Sequence, residues 1–196
     1  MEYKELSAYE KLKQIQKLRL CRSERHNAAI YLNALRRNDI AIIEDYESFG
    51  DTAHKLLMNK QEHEKNLFFG FTKKEFNEHG WLVRPEFLEK EEIQFPHRTG
   101  WAICNYITLG RSINGMWTYG MSYSYSTGGA GFGLSVWGDV FSNRKDCLIA
   151  ALKKLMAELG KRSCNTDKYA LVVLKQAKNL YDEITGRKVI QLTLAF

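Results

Sequence analysis

The run KLKQIQKLRLCRSER, residues 11 to 25, sets six basic side chains against one acid. Such a density attracts phosphate or carboxylate surfaces through Coulomb forces that salt weakens. Lys11, Lys13, Lys17, Arg19, Arg22 and Arg25, with Arg36 and Arg37 farther on, are therefore the candidate contacts to nucleic acid or to an acidic partner. The plainer reading of the same run is one solvated face of a surface helix. A second feature is WTYGMSYSYSTGGAGFGLSVWG, residues 117 to 138, where Trp117, Tyr119, Tyr123 and Tyr125 fall on one side of a period-two pattern. An aromatic face of this kind packs a core, docks a protein or stacks unpaired bases.

The glycines GGAGFG, residues 128 to 133, lack the lysine and Ser/Thr of a phosphate-binding P-loop and the spacing of a dinucleotide turn. Strand-like residues follow them, not a helix whose amino end would hold phosphate. His26, His54, His63, His79 and His97 show no HExxH and no i, i+4 pair, and Cys21, Cys104, Cys147 and Cys164 form no CxxC. No serine sits in a GxSxG elbow. The chain thus offers no catalytic constellation, metal-ligand set or cofactor motif, and a hydrolase assembled only in three dimensions is the minority alternative.

These residues need elements to position them. Leu6, Tyr9, Leu12, Ile15 and Leu18 recur every three residues, which predicts an amphipathic helix. Ser23 or Asn27 begins a second helix, Asn38 or Asp39 caps a third, and Asp51 or Thr52 caps a fourth after Gly50. FFGFTKKEFNEHGW, residues 68 to 81, predicts a short helix opened by Thr72 and stopped by Gly80. The acidic EKEE at 89 to 92 reads as connector.

From residue 99 the period changes to two. Trp101, Ile103, Ile107 and Leu109 mark one strand, and RSING at 111 to 115 supplies an Asn-Gly turn. Trp117 to Tyr125 form a second strand, and after a loop STGGAG a third carries Phe132, Leu134 and Val136. Ser142 or Asn143 then caps a helix with Leu148, Leu152, Leu155 and Leu159 on one stripe. A further helix runs from about Thr166 to Thr185, and KVIQLTLAF alternates as a last strand that joins the sheet or pairs with another copy.

The expected fold is α+β: a helical N-terminal half, then a small antiparallel sheet of three to four strands packed with C-terminal helices. The organisation reads as 1–66 helical and basic, 67–98 connector, and 99–196 sheet, two helices and terminal strand. No apolar run approaches the ~20 residues that span a bilayer, and MEYKELSAYEKLKQ is too polar for a signal peptide, so a cytoplasmic protein without membrane contact is expected.

With WTYG, STGGAGFG, LSVWG and FSNRKDCLIAALKKL placed on strands and a helix start, residues 99 to 160 resemble the three-strand-plus-helix accessory modules found beside ParB-like partition or nuclease domains on mobile genetic elements. The first 98 residues hold no ParB-like motif, so neither DNA cleavage nor partitioning carries over. The resemblance implies a setting of mobile elements, phages and antiviral defence. There, a basic protein of this kind is expected to be an accessory or inhibitor of a nucleic-acid-handling machine, such as an RNA-guided nuclease of a CRISPR system. The expected partners are a nucleoprotein complex or nucleic acid and a second copy of the chain. Direct DNA or RNA binding is the alternative.

Overall fold

In the computed structural model, which describes residues 3–96, 105–162 and 167–186, side-chain caps punctuate the first half of the chain. Ser7 opens helix α1 (Ala8–Gln16) with a reciprocal capping box: its Oγ accepts from the Glu10 amide, and the Glu10 carboxylate accepts from the Ser7 amide. Helix α2 (Arg22–Arg37) starts after Cys21 and ends at Asn38, whose φ of 52° is the left-handed exit that asparagine tolerates. Asp39 caps α3 (Ile40–Glu47) and Thr52 caps α4 (Ala53–Phe68). The four helices enclose Ile15, Ala28, Tyr31, Tyr46, Phe49, Leu56 and Leu57.

The helix expected from Thr72 to Gly80 does not form. Residues Phe76 and Leu82 make an antiparallel bridge around a tight turn, in which Asn77 Oδ1 accepts from the amides of His79 and Trp81. Gly80 takes φ +76°. Buried Asn59 of α4 holds this turn: its Nδ2 donates to the carbonyls of Phe49 and Gly80, each at 2.8 Å, and its Oδ1 accepts from Leu82 at 3.0 Å. Those tertiary bonds outcompete a marginal short helix.

The chain divides into two units, Met1–Pro85 and Glu86–Phe196, so the expected connector is split between them. In the second unit β1 (Glu89–Gln94), β2 (Tyr106–Arg111), β3 (Trp117–Tyr125) and β4 (Gly128–Phe132) form an antiparallel meander in that order. EKEE is thus strand and not connector. Its carboxylates are served from neighbours, Glu89 by Arg111 at 3.2 Å and Glu91 by a two-pronged contact from Arg144 at 2.6 and 2.7 Å, while Ile93 packs inward. Helix α5 (Arg144–Arg162) lays Leu148, Leu152, Leu155 and Leu159 on the sheet, and α6 (Lys168–Thr185) adds Ala170, Val173 and Ala177.

The third strand also differs from expectation: the glycines are the strand, and the chain leaves it after Phe132. A Cβ on Gly129 would lie 2.8 Å from the Tyr123 carbonyl, and one on Gly131 would lie 2.6 Å from that of Met121. Glycine therefore permits β4 to approach β3 as closely as it does. The tight turn falls at Ser126, whose amide and hydroxyl both donate to Asp167 at 2.8 and 2.9 Å. Asp167 in turn caps α6 through the amides of Tyr169 and Ala170. Among the described residues no helix is long and apolar enough to cross a membrane. Trp101, Ile103, Cys104, His97, Cys164 and the expected strand at 188–196 lie outside the described residues.

Candidate anion-docking surface

Positive charge collects where α1 ends, the chain turns through residues 17 to 21, and α2 begins. Lys13, Lys17, Arg19, Arg22 and Arg25 are all exposed there. Among the described residues none of these five makes an ion pair; Lys13 lies 4.4 Å from the ring centre of exposed Tyr9, and Arg25 Nε donates to the Leu20 carbonyl at 3.0 Å. The amino end of α2 carries the positive end of its macrodipole, where acids are the stabilising residues. Arg22 and Arg25 occupy that turn instead, and the single acid present, Glu24, is folded back on the Cys21 amide at 2.6 Å. Glu10, one turn before Lys13, offsets part of that charge, and Glu24 is the one acid in the first turn of α2, an arrangement in which the positive potential left over favours an external anion.

The same corner has an apolar floor. Ile15, Leu18, Leu20, Ala28 and Leu32 line an open groove of about 500 Å³, with Arg19 and Arg25 among its walls. The groove joins apolar contact area to guanidinium groups, a combination typical of protein interfaces more than of bare phosphate contacts.

Lys11 does not belong to this surface. It is buried, with Nζ 2.7 Å from Glu47 Oε1 and 3.0 Å from the Lys4 carbonyl, and Tyr31 donates to the same Glu47 oxygen at 2.6 Å. Burial and this contact to Glu47 push the Tyr31 phenol far above its ordinary range. Lys11 is the one basic residue of the run on the inward face of α1, beside Ile15 at i+4. Arg36 and Arg37 are exposed but sit in the last turn of α2, roughly 21 Å along the helix axis from Arg22. There they complement the helix dipole, apart from the basic corner.

The aromatic strand face resolves against base stacking at two of its residues. Tyr119 and Tyr123 are each 5% exposed and lie in the core under α5. Their hydroxyls reach Asp139 and Glu158, each at 3.4 Å, and burial raises the Tyr119 phenol to about 12. Trp117 and Tyr125 are half-buried against the same core. Among the described residues the exposed aromatics of this unit are instead Phe132, Trp137 and Tyr169, of which sequence pattern assigned Phe132 to a regular third strand.

A second cavity of the first unit, about 600 Å³, is lined by Tyr3, Glu47, Phe49, Asp51 and Phe76. Its carboxylates are engaged, Glu47 by Lys11 and Asp51 by Lys55 at 3.0 Å. Among the described residues no cluster of three or more His, Cys, Asp and Glu is placed to hold a metal ion. His63 stacks against Phe49, and burial with Lys74 and Lys60 nearby lowers its pKa. Cys147 is buried, its thiol pushed up to about 12, and Cys21 is exposed. No protein-family model, curated protein or solved structure matches the chain.

Proposed function

We propose that this chain is a non-enzymatic binding protein whose basic corner docks on an anionic partner, a nucleoprotein complex in the first instance. The observation that carries this reading is the set of five exposed basic residues, Lys13, Lys17, Arg19, Arg22 and Arg25, which make no ion pair among the described residues and gather where α1 ends and α2 begins. The apolar groove beside them favours a partner that offers protein surface as well as phosphate. An accessory or inhibitor of a nucleic-acid-handling machine, an RNA-guided defence nuclease being one such machine, has that mixed chemistry.

Direct binding of nucleic acid is a second reading, and one observation favours it. Tyr9 is 63% exposed and its ring carries the Lys13 ammonium, which presents a stacking surface beside a phosphate contact. The test is a variant with Lys13, Lys17, Arg19, Arg22 and Arg25 all changed to Gln. Its affinity for labelled single-stranded RNA, duplex DNA and an acidic peptide is compared with that of the wild type at low salt. At least a tenfold loss toward one of these polyanions is expected. Equal binding by both proteins, or none by either, would remove the reading.

A further inference from the structure

The two edges of the sheet are unlike. β1 bears Glu89, Lys90, Glu91 and Glu92, the charged pattern that keeps an edge strand from pairing with a stranger. β4, GGAGF, has no charge and no proline, all five of its residues are exposed, and it closes the strand order. Among the described residues nothing pairs with its outer edge. A bare, neutral edge is a template for another strand.

We propose that β4 is a self-pairing edge, through which two copies of this chain join antiparallel about Ala130 to make one continuous sheet. A two-fold axis perpendicular to the sheet keeps the α5-covered faces on the same side, so residues of one face must meet residues of that face. Opposite β3, Phe132 pairs with Met121, Ala130 with Tyr123 and Gly128 with Tyr125, which places all three on the α5 side. The register that uses the whole strand then sets Ala130 against Ala130, Gly129 against Gly131, and Phe132 against Gly128. Phe132 is 45% exposed, and a Cβ added at Gly128 would meet its own copy's Tyr125 in ordinary contact, the hydroxyl at 3.4 Å and the ring at 3.5 Å. The phenyl ring of one copy thereby comes beside Gly128 of the other, where no side chain of that residue blocks it, and packs against the Tyr125 that lies over that glycine, a cross-strand aromatic pairing that stabilises edges. The complementarity lies within a single strand read in both directions, which is why the occupant is a second copy. Self-pairing is independent of anion docking, because the basic residues belong to Met1–Pro85 and β4 to Glu86–Phe196.

The experiment is light-scattering mass at high micromolar concentration for wild type, Ala130→Lys, Ala130→Glu and an equimolar mixture of the two variants. Wild type is expected at twice 22.8 kDa. Each variant alone is expected as a monomer with unchanged circular dichroism, because like charges then oppose each other across the axis, and with a melting temperature that no longer rises with protein concentration. The mixture is expected to regain the dimer. A monomeric wild type, a dimeric Ala130→Lys, or a mixture that stays monomeric while both variants are folded would each overturn the proposal.

Discussion

Lys11 shows how far one helical turn separates two roles. Lys13 and Lys17 lie in the same run and meet solvent, whereas Lys11 faces inward and is held by Glu47, the Lys4 carbonyl and the Tyr31 network. Removing one partner of a buried ion pair strands the other charge, so Lys11→Ala should cost about 3–5 kcal/mol in urea unfolding. Arg22→Gln, at an exposed position, should change stability by about 0.5 kcal/mol or less. A Lys11→Ala protein as stable as wild type would show that the pair is dispensable. A second residue-scale prediction concerns acid. The Arg144 guanidinium gripping Glu91 holds that carboxyl below its ordinary value of 4.5. Because the folded pKa is the lower one, the contact is fully present above the unfolded value and is lost as pH falls below it. Melting temperature against pH should therefore fall less steeply on the acid side of that value in Glu91→Gln than in wild type, and parallel curves would contradict the assignment.

At the scale of elements, the caps and the α5 stripe were readable because their causes are local. Asp39 and Thr52 satisfy amides within three residues, and Leu148, Leu152, Leu155 and Leu159 repeat along one helix face, whereas α2 begins after Cys21 and not at Ser23 or Asn27. The Asn77–Gly80 turn was not readable, since it depends on Asn59, which precedes Gly80 by 21 positions. Strand β1 was hidden by its charges, whose partners Arg111 and Arg144 lie on other elements. In β4 pattern alone placed the glycines in a loop, whereas they form the strand itself. The exposed basic residues of the candidate site were legible as composition; that Lys11 leaves the set and that Arg36 and Arg37 stand apart required the helix geometry. The close approach of β4 has a direct check in thermal unfolding. Gly131→Ala forces a methyl to within 2.6 Å of the Met121 carbonyl and should destabilise by about 1–3 kcal/mol. Gly133→Ala, with nothing within 4 Å of the added carbon, should fall well below that. Equal effects at the two glycines would argue that β4 does not pair as described.

At the scale of the whole molecule, the two candidate surfaces belong to different units. Met1–Pro85 carries the basic corner and its groove, and Glu86–Phe196 carries the sheet, whose β1 edge is charged and whose β4 edge pairs with nothing among the described residues. If both are used, a dimer presents two basic corners to one partner, and linked sites gain affinity from effective concentration without any new contact. The central claim is that Lys13, Lys17, Arg19, Arg22 and Arg25 neutralise an anionic partner. It is tested most directly by the slope of log affinity against log salt concentration on duplex DNA. With all five on phosphate, the monomeric Ala130→Lys protein should show a slope of about −4.5, falling toward zero when the five are changed to Gln. A flat dependence, or the same slope with and without those side chains, would contradict the account.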